Sequence, residues 1–174
     1  MRNNSEIDKT SGGKENNILV VYFSHSGNTR VIANQIHESV GGDIVEIQPE
    51  NLYPDNYNSV VKQAKQELDS DYKPKLKSKI KNINSYNVIF IGYPTWWYTT
   101  PRPVVTFLSE YDFSKKTIVP FCTHEGSGFA QGIETIRKLC PQSTILNGLA
   151  VRGGNVKNAQ NAVSKWLRAL EMIE

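Results

Sequence analysis

Residues 18–33 constrain this chain more than any others. Ile18-Leu19-Val20-Val21-Tyr22-Phe23 is an unbroken apolar run rich in β-branched and aromatic side chains. Such a run suits a strand covered on both faces, as in a parallel sheet. It stops at Ser24-His25-Ser26-Gly27-Asn28-Thr29. Val31, Ile32, Ala33, Ile36 and Val40 then return at helical spacing, before a Gly41-Gly42 stop. The unit reads as strand, small polar turn, helix.

The turn has the composition of an anion cradle. Ser24, Ser26 and Thr29 carry hydroxyls, and Gly27 lets the backbone take unusual dihedrals and approach a ligand closely. A helix opening at Asn28 or Thr29 aims free N–H groups and its positive end into the turn, which together favour a phosphate. Neither GxxxxGK[ST] nor GxGxxG is present, so a triphosphate loop and a dinucleotide turn are both unsupported. The turn holds no lysine, and Arg30 is expected to face solvent. A monophosphate met by backbone dipoles fits best. A plain capped turn between strand and helix has the same small polar residues, so this turn alone does not decide between them.

A chain of 174 residues fits one domain with a sizeable core. Residues 1–16 form a polar stretch without an apolar signal region; we expect a disordered leader there and a single domain over 17–174. The longest apolar run is too short to span a bilayer. A net charge of +3 is too low for a nucleic-acid binder. Cys122 and Cys140 form no CxxC or zinc spacing. They suit a reducing, cytoplasmic setting, with Cys122 buried and inert, and no metal site is expected.

Further strands are expected at Asp43–Gln48, Asn87–Gly92, Thr117–Phe121 and Thr144–Val151, the last interrupted by Gly148. Helices are expected at Asn58–Leu68, Arg102–Glu110, Phe129–Leu139 and Val156–Leu170. Pro49–Tyr57 reads as a loop with two prolines and two tyrosines. Lys73, Lys75, Lys77, Lys79 and Lys81 alternate with other residues. That stretch reads as a solvated segment at the amino ends of the strands, or, in a sharper reading, as a patch for an acidic partner. Five alternations of strand and helix imply a parallel sheet with helices on both faces, with ligands bound beyond the carboxyl ends of the strands.

Three turns should meet at that end. The first is Ser24–Thr29. The second contains Pro94, Thr95, Trp96, Trp97 and Tyr98, aromatic rings between prolines and outside any periodic pattern. Flat faces of this kind suit a planar aromatic ligand; one tryptophan is expected to pack beneath the loop while the other, or Tyr98, meets the ligand. The third is Thr123, His124, Glu125, Gly126, Ser127 and Gly128, whose backbone amides suit a ring's carbonyl edge. His124 with Glu125 invites an acid–base role, but a surface-loop role is the preferred reading. His25 reads as a loop residue beside the phosphate. A phosphate cradle, a stacking loop and a hydrogen-bonding loop together describe a site for flavin mononucleotide (FMN).

At this point VVYFSHSGNTRVIA resembles the phosphate loop of the flavodoxin family, and IFIGYPTWWYTTPRPVVTFL and KTIVPFCTHEGSGFAQGIETI resemble its short-chain, compact members. The resemblance covers about residues 17–170. It implies a flavodoxin-like three-layer α/β sandwich with a five-stranded parallel sheet of order 2-1-3-4-5, the order of flavodoxin itself. It also implies an FMN-binding protein that passes electrons between a redox donor and an acceptor, as monomer or homodimer. Two features depart from the family pattern. The chain is basic, where electron-carrying members are strongly acidic. No glycine stands between Tyr93 and Pro101, where many carriers have one. Both favour an NAD(P)H-dependent reductase of quinones or nitro compounds as the alternative. A cofactor-free regulatory binding module on the same fold is the reading from a different class.

Overall fold

A computed structural model describes residues 17–174; the leader expected at residues 1–16 lies outside the described residues. The elements in chain order are β1 (Ile18–Tyr22), α1 (Asn28–Val40), β2 (Asp43–Glu46), α2 (Tyr57–Asp69), β3 (Val88–Pro94), α3 (Arg102–Glu110), β4 (Thr117–His124), α4 (Gly132–Leu139), β5 (Thr144–Ile145), β6 (Leu149–Arg152) and α5 (Gln160–Ala169). All strand pairs are parallel, in the order β2-β1-β3-β4-β5, with β6 also on β4. This is the expected 2-1-3-4-5 sheet, its last strand in two pieces.

The period of two sorts the strands onto two faces. Leu19, Val21, Ile89, Ile91, Tyr93, Ile118 and Cys122 face Val104, Phe107 and Leu108 of α3 and Ile136 of α4. Ile18, Val20, Tyr22, Val88, Phe90, Val119 and Phe121 face Ile32, Ala33 and Ile36 of α1 and Val163, Trp166 and Leu167 of α5. Both faces are covered over β1, β3 and β4, so these strands read as near-continuous apolar runs.

The break in the last strand lies opposite Pro120. Ile118 O accepts from Leu146 N at 3.0 Å, so every second residue of β4 turns its main chain that way, and Pro120 has no N–H to offer there. Gly148 fills the gap: a Cβ on it would lie 2.7 Å from Pro120 O and 2.6 Å from the Phe129 ring.

Several boundaries differ from expectation. β4 runs on to His124, because Cys122, Thr123 and His124 pair with Ala150, Val151 and Arg152. So Thr123 and His124 are strand residues rather than turn residues. α4 begins at Gly132, after Ala130 takes a φ of 47° that no helix continues. Val156 lies in a 3-10 turn over Gly153–Asn158, and α5 begins only at Gln160.

α2 is the larger surprise. It caps the carboxyl rim of the sheet. Its Val61 O accepts from Trp97 Nε1, and its Glu67 accepts from the Tyr53 hydroxyl. The lysine stretch that follows is also displaced. It starts at the carboxyl rim, where Arg102 at the head of α3 donates to Tyr72 O and pairs with Asp71. It then runs down the outer edge of β2: Lys77 N donates to Gln48 O, and the Ser78 hydroxyl donates to Glu46 O. Only at Ile80, whose N–H meets the Tyr111 hydroxyl beyond the end of α3, does it reach the amino side.

Candidate functional site

Ser24–Asn28 closes the gap between β1 and α1. Phe23 N still donates to Gly92 O at 3.0 Å, so the turn starts where sheet pairing ends. Gly27 caps α1 with φ 98°, a left-handed conformation that favours glycine. The first turn of α1 holds no carboxylate of its own, so the helix's own residues do not oppose an anion at its positive end. Ser24 Oγ accepts from Arg30 N at 3.3 Å, and Ser26 Oγ lies 3.5 Å from Asn28 N. Arg30 turns outward to Glu46, 2.5 Å away, as its position predicts. His25 is exposed, and its Nε2 donates to Pro54 O at 3.0 Å.

Thr29 turns inward. Its hydroxyl lies 2.8 Å from that of Thr123, both side chains buried. This contact ties the first turn to the third.

The second turn is a tight hairpin: Trp96 and Thr99 exchange two main-chain bonds of 3.1 Å. The residues between them, Trp97 and Tyr98, have φ of 49° and 62°. Two left-handed residues make a type I′ turn, which normally takes Asn-Gly, and each costs a non-glycine residue about 1–2 kcal/mol. The surroundings hold it. Thr95 N donates to Thr123 O, Thr95 Oγ1 to Gly128 O, and Gln131 N to Tyr98 O. Trp97 Nε1 donates to Val61 O at 2.9 Å, and Lys65 Nζ lies 5.5 Å from the ring centre. Trp97 thus faces α2.

Trp96 sits edge-on in an aromatic box, with ring centres 5.2 Å from Phe23, 5.1 Å from Tyr53 and 5.9 Å from His25. Tyr98, 65% exposed, is the barest ring of the loop.

The third turn leaves β4 after His124. His124 Nδ1 accepts from Gly126 N at 2.9 Å, which puts the neutral ring's proton on Nε2. Gly126 and Gly128 have φ of 140° and 60°. Glu125 and Ser127 are exposed. Gly153 forms the floor between the turns: a Cβ there would stand 2.4 Å from Glu125 Oε1 and 2.8 Å from Asn28 Nδ2. Glu125 therefore lies beside Asn28 of the first turn. Beneath, burial pushes the Cys122 thiol up to about 11, so it stays protonated and inert.

All three expected turns meet at one rim. Tyr53, Arg152 and Gly153 join them unannounced. Tyr53 lay in a loop marked only by its prolines and tyrosines. Arg152 ends the last strand and pairs with His124, and Gly153 follows it, which brings both to the rim. Among the described residues no group of three or more His, Cys, Asp or Glu is placed to hold a metal ion, and no helix is long and apolar enough to cross a membrane.

Comparison with known proteins agrees with this geometry. The family model for flavodoxin matches residues 17–170. No curated protein matches the chain. Among solved structures, a proposed flavoprotein of Bacteroides eggerthii is 33% identical, covering 87% of this chain and 96% of its own, with a TM-score of 0.77. Another from Bacteroides uniformis is 29% identical over 88% and 98%, with a TM-score of 0.79. A flavoprotein of Lactobacillus acidophilus, solved in complex with FMN, shares the fold at 19% identity over 82% and 97%, with a TM-score of 0.69.

Proposed function

Because the chain belongs to the flavodoxin family, we propose that it binds FMN without a covalent bond and passes electrons between a redox donor and an acceptor. The observation that carries this reading is the rim: three turns joined by Thr29–Thr123, Thr95–Gly128 and Gln131–Tyr98 contacts, opening on a helix whose own first turn carries no carboxylate. Ser24, Ser26, Gly27, Asn28 and Thr29 would hold the phosphate. Pro94–Tyr98 and Thr123–Gly128 would flank the ring system. FMN supplies the redox chemistry when bound; the protein binds it, limits water and sets its access. No residue of this rim need act as a catalytic acid.

The FMN reported with the Lactobacillus acidophilus protein supports the same cofactor here. The test compares FMN with riboflavin. Titration of the chain, followed by quenching of flavin fluorescence, should give FMN an affinity at least tenfold tighter, since only FMN carries the phosphate. Equal affinities would remove the phosphate cradle from the reading, and no uptake of either flavin would favour the cofactor-free module.

A second reading, an NAD(P)H-dependent reductase of quinones, is favoured by one feature. The second turn has no glycine and is pinned to α2 through Trp97, so its main chain is not free to rearrange as the cofactor changes state. Steady-state NAD(P)H oxidation in the presence of a quinone separates this from simple carriage.

A further inference from the structure

The segment after α2 sorts its side chains by twos. Pro74 and Leu76 are buried, and Ser78 and Ile80 are half-buried, while Lys73, Lys75, Lys77, Lys79 and Lys81 are all exposed. Only Lys79 has an ion-pair partner among the described residues, Glu110 at 3.4 Å, and that contact is solvent-exposed. The five lysines exceed the chain's net charge of +3, so the rest of the chain is net negative. A quarter of the chain's 20 lysines and arginines thus stand within nine residues. Lysines do protect sheet edges from pairing. Here the segment's own main chain already covers residues 46–50, which continue the edge past the end of β2, so the lysines beside that stretch have no open edge to protect.

The row begins at a second unusual surface. Among the described residues, every exposed large hydrophobic side chain, namely Leu52, Tyr57, Tyr72, Trp97 and Tyr98, belongs to the carboxyl rim or to α2 and its flanks. Tyr72 leads directly into Lys73. An apolar centre bordered by charge is the anatomy of a protein interface.

We propose that the lysine row, with this aromatic rim at its head, is the docking surface for an acidic protein. That the partner is a redox protein rests on the electron-carrying reading above. The geometry favours a protein over an anionic bilayer. Tyr72 is fixed to Arg102, the first residue of α3, and Lys79 reaches Glu110, its last. The row thus descends the side wall of the sheet while the aromatics crown its top. A flat membrane cannot touch both; a shaped protein surface can. Orientation follows from the same asymmetry, since an acidic partner is drawn to one edge of the molecule.

The test titrates the full chain, with and without FMN, against cytochrome b5 as an acidic haem protein and cytochrome c as a basic one, by calorimetry at low and high salt. Binding to cytochrome b5 should be measurable at low salt and weaken at least tenfold at high salt. Changing Lys73, Lys75, Lys77, Lys79 and Lys81 to Gln should weaken it at least tenfold. A control with the same charge loss, Lys115, Lys138, Lys157, Lys165 and Arg168 to Gln, should stay within twofold of the parent. Equal losses in both variants would overturn the proposal, because net charge alone would then act. So would sedimentation with phosphatidylserine vesicles that depends on the lysine row, in the absence of cytochrome b5 binding. Failure to take up FMN with binding through the lysine row intact would strike the cofactor reading and leave the docking surface standing.

Discussion

Trp97 and Tyr98 show most plainly how the fold overrides local preference. Neither residue suits a left-handed position, and nothing in Trp96-Trp97-Tyr98-Thr99 resembles the Asn-Gly signature of a type I′ turn. The turn exists because Trp97 is bound to α2 and the Tyr98 carbonyl is held by Gln131. The two residues separate under mutation. Tyr98→Gly removes a strained side chain from an exposed site, so the unfolding free energy should stay level or rise by up to about 1 kcal/mol. FMN affinity should fall severalfold as the ring contact disappears. Trp97→Phe keeps an aromatic ring but loses the N–H to Val61, and should destabilise by about 1 kcal/mol. Urea titration and flavin quenching on both variants check this. A Tyr98→Gly protein that is markedly less stable would show that the strain is not there.

At the scale of elements, what was legible and what was not divide along a physical line. The alternation of strand and helix, the two-sided burial of β1, β3 and β4, and the three turns after them all follow from periodicity and turn chemistry. The extension of β4 through Thr123 and His124 does not, because polar residues at a strand's end read as a turn until a neighbour pairs with them. The place of α2 was hidden for a related reason. Amphipathic spacing shows that Val60 and Ala64 face inward, but not whether they cover a sheet face or a rim. The Thr29–Thr123 contact joins two elements 94 residues apart, beyond the reach of any local pattern. It can be tested by the asymmetry of hydrogen-bond loss. Thr29→Val strands the buried Thr123 hydroxyl and should cost about 1–3 kcal/mol, as should Thr123→Val. The double variant replaces both partners by apolar shape and should cost clearly less than the two losses together. Additive losses in urea unfolding would mean that the hydroxyls do not interact.

The whole molecule carries its titratable groups in a way that ties stability to alkali. Burial pushes the Cys122 and Cys140 thiols from 9.0 up to about 11, and it raises Tyr53 and Tyr93 as well. In the unfolded chain each thiol releases its proton near 9.0, while in the folded chain it keeps the proton to about 11. Between those values the unfolded state binds fewer protons, so unfolding becomes easier as pH rises. Below pH 9 the two thiols cost nothing; across the window each can remove about 3 kcal/mol, a large part of the stability of a domain this size. The unfolding free energy should therefore be nearly level from pH 7 to 8.5 and fall steeply from pH 9 to 10.5. A Cys122→Ala, Cys140→Ala protein should begin lower, through lost packing, yet fall less over the same interval; the two tyrosines keep part of the slope. Ellman's reagent at pH 8 should find no reactive thiol in the native protein and two after denaturation. An alkaline fall that is the same size with and without the cysteines would assign it to the tyrosines alone, and ready native thiol labelling would show that the core beneath the third turn opens far more often than its packing implies.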